Sequence, residues 1–333
     1  MIKKFLQHHP VHKKIVPILD PVFLLRPTMF FAVWIMVIVG MISAELNMNT
    51  SCLWMTEFSW QIFFVFFGLT LLISAAFISN QIVDEEDDQR HQKLLLIGKH
   101  ISVKKGNSIC IIFLFFGVVI SIIANWTTAI PAIGIYFLWG IQYNHAPFEW
   151  KNFPISGWLV NSCVGIFFFI IGWMLGMSDT TNAGIMSLSM DTLFYMLPYL
   201  LSFSAVSLLS TLLDRKDDDV ETSTSPIVFG FSASLIISLF MVGSALYLSL
   251  KHTDPLASTA TLVSLPFFIF ATVRKLNKDI LRAIRYPIFI INIFSISYYP
   301  WLLVPLFCTY YISKYYYWHR FDLHYPTFLV DYD

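Results

Sequence analysis

Carboxylates are concentrated in two short segments of the sequence, in a pattern that suits a divalent cation. Ten of the 21 Asp and Glu residues lie in the runs Asp84–Asp88 and Asp214–Glu221. In the first run, Asp84 and Asp88 continue a four-residue spacing that begins at Asn80. Residues with this spacing share one face of a helix, so an amide and two carboxylates are predicted to form one oxygen-rich group.

The second run repeats the four-residue spacing at Asp214 and Asp218. Two carboxylates one helical turn apart repel each other unless a cation lies between them. Oxygen-only ligands suit Mg²⁺, which takes one or two carboxylates and shares its other positions between water and phosphate. We therefore predict Mg²⁺ as the cofactor, although a charged helix end in water is the alternative for either run. The predicted metal ligands are Asn80, Asp84, Asp88, Asp214 and Asp218.

The elements that must position these side chains are built from an unusually apolar composition. Of the 333 residues, 57% are hydrophobic and only 13% are charged, and the mean hydropathy is +0.68. Average soluble domains carry about 25% charged residues. The chain is therefore predicted to be an all-α polytopic membrane protein, embedded in membrane lipid. Its basic residues follow the membrane topology, so no nucleic-acid partner is expected.

Nine transmembrane helices in a single bundle are predicted from the intervals between charged residues. A helix needs about 20 apolar residues to cross the hydrocarbon core. The charge-free interval from Gly106 to Phe148 is too long for one crossing, and we divide it near Pro131 and Gly134. The predicted spans are 28–46, 59–80, 107–124, 128–142, 155–177, 192–213, 227–248, 256–273 and 287–312.

Basic residues indicate the orientation of this bundle. With the N-terminus in the cytoplasm, 18 of the 21 Lys and Arg residues lie inside, and only Lys251, Lys314 and Arg320 lie outside. This imbalance agrees with the positive-inside rule. Both acidic runs also fall on the cytoplasmic side, where topology does not explain them. The expected location is the cell (inner) membrane, with the active-site loops in the cytoplasm.

A third segment on the cytoplasmic side, Gln142–Asn161, carries two further polar residues of interest. Tyr143 and Lys151 are expected at the same membrane level as the carboxylates. A lysine at this level can hold phosphate oxygens as a point charge. Taken alone, however, one lysine in a cytoplasmic loop is more often a signal of topology.

The motifs and their positions resemble the UbiA superfamily of intramembrane prenyltransferases over nearly the whole chain. That superfamily has N-D-x-x-D-x-x-x-D after its second span and D-x-x-x-D after its sixth. Asn80–Asp88 matches the first motif with Gln81 in place of the usual Asp, and Asp214–Asp218 matches the second. After the second motif, Thr222 stands where a Gly is usual. Smaller similarities are Arg26-Pro27 at the first span, Gly98 and Ser102 after the first motif, and Tyr143 and Lys151 before the fifth span.

The resemblance implies transfer of a prenyl group from a prenyl diphosphate to an aromatic or lipid acceptor, with Mg²⁺ held by the two motifs. Quinone precursors are among the acceptors of this superfamily, but the residues predict neither the acceptor nor the length of the prenyl chain. The implied catalytic carboxylates are Asp84, Asp88, Asp214 and Asp218. The implied diphosphate contacts are Tyr143, Lys151, Lys93, Arg90 and Arg215.

Three parts of the chain are expected on this basis. Residues 1–27 form a basic interfacial segment in which Pro10, Pro17 and Pro21 prevent a long helix. Residues 28–312 form the prenyltransferase bundle, and residues 313–333 form an aromatic tail at the outer interface.

Two alternatives to the prenyltransferase remain. A membrane transporter fits the number of spans, although transporters place ionisable residues near the midplane. Gln81 and Thr222 keep open a family member with an altered donor or acceptor, such as a sugar phosphate or a glycerolipid, or a non-catalytic homologue.

Overall fold

Twelve α-helices make up the part of the chain that the computed structural model describes, residues 9–48, 58–90, 96–177, 188–214 and 229–327. Eight of them are long and apolar enough to cross a membrane, which confirms the all-α polytopic architecture. A ninth bundle helix, α6, is shorter and continues into a π-helix at Phe137–Gln142. The helices are α1 (Pro10–Leu24), α2 (Phe30–Asn47), α3 (Trp60–Val83), α4 (Glu85–Arg90), α5 (Val103–Ala124), α6 (Trp126–Tyr136), α7 (Pro154–Gly176), α8 (Met190–Asp214), α9 (Phe231–Lys251), α10 (Pro255–Arg274), α11 (Asn277–Tyr298) and α12 (Leu303–Phe321).

The division between the third and fourth predicted spans lies where it was expected, but for a different reason. Asn125 has an extended backbone, and its Oδ1 accepts hydrogen bonds from the N–H groups of Thr127 (3.0 Å) and Thr128 (3.2 Å). An Asn in this role starts a new helix because it satisfies N–H groups that have no partner within the helix. Pro131 lies inside α6 and does not divide the two helices.

The ninth predicted span, 287–312, is wrong. α11 begins at Asn277 and ends at Tyr298, and a short 3₁₀ turn from Pro300 separates it from α12. The first turns of α11 carry charged residues, so hydropathy alone places the start of the helix too late in the sequence. Two of these charges are paired, because the buried Asp279 accepts a hydrogen bond from Arg282 at 3.0 Å, and Asp279 also lies 3.5 Å from Arg274 at the end of α10.

Glycines allow the backbones of α2 and α7 to touch in the half of the bundle farther from the first acidic motif. A Cβ atom on Gly172 would overlap the Val37 carbonyl, and one on Gly40 would overlap the Phe169 carbonyl. Small residues permit this close approach between membrane helices. The bundle is therefore tightly closed at this level, whereas an interior space opens nearer the motif.

The N-terminal segment contains a 15-residue helix, so the expectation that its prolines prevent one is wrong. Pro10 occupies the first turn of α1, where no N–H is needed, and Pro17 is exposed, so the carbonyl it leaves unpaired can be solvated. One face of α1 is buried at i, i+4, i+7 and i+8, and this packing outweighs the low helix propensity. The buried face consists of Val16, Asp20, Phe23 and Leu24.

The aromatic tail does not lie at the opposite face from the N-terminus, so the predicted outer position is wrong. α12 runs back along the bundle and packs against α1, and the predicted boundary at 312/313 falls inside it. Asp20 accepts hydrogen bonds of 2.6 Å from Tyr316 Oη and from Arg320, while Phe23 stacks on Tyr316 with ring centroids 3.8 Å apart. Burial and the positive charge of Arg320 lower the pKa of the adjacent His100. Arg320 therefore lies on the same side as the N-terminus.

Replacing Asp20 with Ala is expected to lower the free energy of unfolding by about 3 kcal/mol, because Arg320 would keep a largely buried charge without its carboxylate. Denaturant unfolding of the purified protein measures the change. Asp87→Ala, at an exposed position, is the matched control and should stay within about 0.5 kcal/mol. Equal stability of the two variants would contradict a stabilising role for the contact between α1 and α12.

Candidate active site

A cavity of about 420 Å³ lies between α2, α3, the π-helix, α7, α8 and α11. Most of its wall is apolar, including Met36 and Val33 from α2 and Ile288 and Ile291 from α11. Polar side chains are most frequent where α3 ends, beside the first acidic motif. The polar lining residues are Arg26, Asn80, Tyr143, Asn144, Asn161, Tyr199, Ser202, Ser207 and Ser210.

Asp84 and Lys151 form an ion pair next to Asn80 at the polar end of this cavity, although they are 67 residues apart in sequence and are not themselves lining residues. Asp84 follows the last residue of α3, and its other carboxylate oxygen accepts a hydrogen bond of 2.8 Å from Asn80 Nδ2. The side chains of Asp84 and Lys151 are 27% and 18% exposed, so water screens their attraction only in part. The structure thus brings together three of the predicted site residues.

The orientation of the Asn80 amide follows from a chain of hydrogen bonds. The Trp139 backbone carbonyl can only accept, so Asn144 directs its Nδ2 towards it, at 2.6 Å. Asn144 Oδ1 then accepts from Asn80 Nδ2 at 2.8 Å. Both N–H groups of Asn80 are thereby used, on Asn144 and Asp84. The amide oxygen of Asn80, a ligand type that Mg²⁺ accepts, is left for a ligand.

The π-helix and the loop after it place Tyr143, Asn144 and Lys151. A π-helix adds a residue to the turn and often occurs at functional sites, since it changes the direction of the side chains that follow. The loop then folds back, so that the Lys151 N–H donates to the Tyr143 carbonyl at 3.1 Å. Ser79 fixes this loop from α3, because its hydroxyl lies 2.8 Å from His145 Nε2 and donates to the Gly140 carbonyl at 3.1 Å.

Asp88 stays on the face predicted for it, although the helix is interrupted at Asp84. The Asp84 N–H bonds to the Asn80 carbonyl at 2.9 Å, and the Asp88 N–H bonds to the Asp84 carbonyl at 2.8 Å. Helical spacing therefore continues from α3 into α4. Arg90, a predicted diphosphate contact, lies instead on the exposed side of α4, 3.5 Å from Asp87, and does not line the cavity.

Gln81, which departs from the family motif, has a different task in this chain. Its side chain is buried and donates to the Leu24 carbonyl at 2.8 Å and to the Phe77 carbonyl at 3.1 Å. The first of these bonds satisfies a carbonyl at the end of α1 that has no partner within the helix. Gln81 therefore attaches α1 to α3 and is directed away from Asp84.

The second motif lies largely outside the described residues. α8 ends at Asp214, one turn beyond Ser210, which lines the cavity. The backbone of α8 is thus directed to the polar end of the cavity. The side chain of Asp214 and the residues Lys93, Arg215, Asp218 and Thr222 are outside the described part of the chain.

The first acidic motif, which the structure describes, offers oxygen ligands of the kind that suit a hard divalent cation. Asn80 Oδ1 and the Asp84 carboxylate are oxygen ligands of the kind that Mg²⁺ prefers, and Asp88 adds a third one turn later. No group of three His, Cys, Asp or Glu side chains gathers closely enough to hold a metal among the residues described. A full coordination sphere therefore needs the second motif, phosphate oxygens or water.

Arg26 is a cavity residue that the functional assignment from sequence missed. It has left-handed backbone angles, with φ at 55°, between α1 and the 3₁₀ turn that opens α2. This uncommon conformation for a non-glycine residue turns the chain, and Arg26, like Asn80, lines the cavity. The sequence signal for Arg26 is a basic residue before Pro27 at the start of an apolar run. By itself, this signal indicates only membrane topology and family resemblance.

Comparison with protein families gives one match that covers most of the chain. The model of the UbiA prenyltransferase family matches residues 33–296. A search among curated proteins found no significant sequence match.

Several solved structures share the fold at low sequence identity. A structure of digeranylgeranylglyceryl phosphate synthase is 17% identical, with a TM-score of 0.58 over 85% of this chain and 97% of that one. A UbiA homologue from Archaeoglobus fulgidus bound to GPP and Mg²⁺ is 16% identical, with a TM-score of 0.55 over 82% and 99% of the two chains. A UbiA homologue from Aeropyrum pernix K1 is 13% identical, with a TM-score of 0.54 over 78% and 95%.

Proposed function

The chain belongs to the UbiA prenyltransferase family, and from this premise we propose that it transfers a prenyl group from a prenyl diphosphate to an aromatic or lipid acceptor with the help of Mg²⁺. One observation carries this proposal. An apolar cavity inside the bundle has Asn80 and Tyr143 in its wall at one end, and the ion pair of Asp84 and Lys151 adjoins this end through the hydrogen bond from Asn80 to Asp84. A charged head and an apolar tail can therefore each meet suitable groups.

The residues at the polar end bind the diphosphate and orient its reacting bond. Lys151, Tyr143 and Arg26 donate to diphosphate oxygens, and charged donors make such hydrogen bonds stronger. Asn80, Asp84 and Asp88 would hold one Mg²⁺ ion, and Asp214 and Asp218 of the second motif would hold the other. Mg²⁺, when bound, supplies positive charge that neutralises the departing pyrophosphate. Lys93 and Arg215 are further candidate contacts to the diphosphate, as the motif resemblance implies.

The reaction breaks the allylic C–O bond, and the electron pair leaves with pyrophosphate. A nucleophilic atom of the acceptor bonds to the freed carbon and loses its proton. The apolar wall, including Met36 and Ile291, keeps water from capturing the carbon first. Exclusion of water also strengthens every charge interaction at the polar end.

The active-site end faces the cytoplasm in this proposal. Basic residues gather where α10 ends and α11 begins, at the same end of the bundle as Lys151. Arg274, Lys275, Lys278, Arg282 and Arg285 belong to this group. Such an excess of Lys and Arg is typical of the cytoplasmic side.

Magnesium-dependent release of pyrophosphate from the detergent-purified protein tests the proposed function. GPP and DMAPP come first among the donors, because the Archaeoglobus fulgidus homologue binds them with Mg²⁺, and longer donors follow. Release is expected only with an aromatic or lipid acceptor present, and EDTA is expected to abolish it. Folded protein that releases no pyrophosphate across the panel would contradict the proposal. Movement of a solute across proteoliposomes without release would favour a transporter.

A further inference from the structure

The cavity has a closed end far from the ion pair of Asp84 and Lys151, and Tyr199 lies there. Along α8, the lining residues run from Ser210 down to Tyr199. The separation of eleven positions between Tyr199 and Ser210 corresponds to about 16 Å of helix. Ile291 on α11 and Met36 on α2 are the last lining residues of their helices in the same direction. The cavity thus ends at a layer formed by Tyr199, Ile291 and Met36.

Beyond this layer the bundle has little room for a further apolar chain. The Tyr199 ring packs on Phe169, with centroids 5.9 Å apart, and the Phe169 carbonyl is the group that approaches Gly40 most closely. The contact of α2 with α7 at Gly40 and Gly172 therefore starts directly beneath the Tyr199 ring. Tyr199 itself is only 2% exposed.

The hydroxyl end of Tyr199 lies on the far side of this layer. It lies beside the Asp254 carboxyl and the Ser43 hydroxyl. Asp254 is fixed in turn, because its Oδ1 accepts hydrogen bonds of 3.0 Å from the N–H groups of Leu256 and Ala257 at the start of α10. Burial raises the pKa of Asp254. The Tyr199 ring therefore lies packed between the cavity and a buried polar group, which leaves it little room to swing aside.

We propose that Tyr199 closes the tail compartment and sets the maximum length of the prenyl chain that the protein binds. This inference rests on the proposed function, since it places the diphosphate at Lys151 and the tail along α8. A tail that reaches the ring must stop or bend, because the space beyond is filled. Tyr199 is thus a specificity-determining residue that takes no part in bond breaking.

Binding of unreactive prenyl thiolodiphosphates of increasing length, measured with Mg²⁺ by thermal stabilisation and by titration, tests this inference. In the native protein, affinity should rise with tail length and then fall beyond a limiting length. Tyr199→Ala should raise the limiting length by at least one isoprene unit. The affinity for the first tail beyond the native limit, relative to that for the tail at the limit, should rise by about tenfold or more. Tyr199→Leu is a milder enlargement with the same expected direction, and Tyr199→Phe should keep the native limit because the ring remains.

Tyr195→Ala is the matched control, because Tyr195 lies one turn away on α8, packs on Trp173 and does not line the cavity. It should leave the length limit unchanged. An unchanged limit in Tyr199→Leu or in folded Tyr199→Ala would overturn the inference, as would a native protein with no limit. If prenyl thiolodiphosphates bind but the maximum tail length is the same in the Tyr199 variants as in the native protein, the proposed function is still supported. No binding of any length would overturn both.

Discussion

Asp84→Asn is expected to reduce magnesium-dependent prenyl transfer by about a hundredfold or more. The amide has nearly the shape of the carboxylate and can still accept the hydrogen bond from Asn80 Nδ2. It lacks the negative charge that binds a cation and that balances Lys151. Loss of one preorganised electrostatic contact typically costs a factor of 10² to 10³ in rate. Product formation and pyrophosphate release at saturating Mg²⁺ measure the effect.

Asp87→Asn is the matched control for this prediction. Asp87 lies three residues further on, is exposed, and is 3.5 Å from Arg90 on the side of α4 away from the cavity. Its substitution should change the rate by no more than about twofold. Gel filtration and thermal unfolding must show that both variants are folded. Comparable activities of Asp84→Asn and the native protein would remove Asp84 from the site.

Lys151→Met is expected to weaken diphosphate binding by about tenfold to a hundredfold. It is also expected to reduce the coupling between the binding of the diphosphate and the binding of the metal ion. Without ligands, Lys151 occupies one oxygen of Asp84, so a cation that takes this oxygen deprives the lysine of its partner. A diphosphate then supplies a new partner for the ammonium group. Each ligand should therefore strengthen the binding of the other, and such coupling is reciprocal. The expected loss is that of a hydrogen bond to a charged group.

Titration with Mn²⁺, followed by electron paramagnetic resonance with and without a prenyl thiolodiphosphate, measures this coupling directly. In the native protein the diphosphate should increase the affinity for Mn²⁺, and in Lys151→Met this increase should shrink. Lys105→Met, at an exposed position on α5, should behave as the native protein does. If Lys151→Met retains the full coupling, the ion pair has no part in ligand binding.

The first acidic motif shows how far residue spacing carries a prediction. The step of four residues from Asn80 to Asp88 survives in the structure because the hydrogen-bond pattern continues past Asp84. Spacing says nothing, however, about a partner 67 residues away. The proximity of Lys151 depends on the π-helix and on the loop that folds back to Tyr143. Its predicted role came from family resemblance and membrane level.

Two residues show what the sequence could not predict. Gln81 seemed to weaken the motif, but its partner is the Leu24 carbonyl, and α1 was not expected to be a helix. Arg26 lines the cavity because its backbone takes a left-handed conformation. Hydrophobic periodicity in the sequence does not predict such a conformation. For Gln81 a tertiary contact with α1 decides the role, and for Arg26 the turn of the backbone directly after α1 does. Hydropathy locates spanning helices well and describes such peripheral helices poorly.

The contact between α1 and α12 makes the order of synthesis part of the site's architecture. Of the helices described, α1 leaves the ribosome first and α12 last. The hydrogen bonds from Tyr316 and Arg320 to Asp20 can therefore form only after all spanning helices have been made. Until then the end of α1 is held by the hydrogen bond from Gln81 and by the packing of Phe23 and Leu24 against residues such as Ala75 and Ile78. The anchoring of α1, which ends two residues before the cavity residue Arg26, is thus completed only at the last step of biogenesis. A nascent chain that stalls before α12 lacks this anchor.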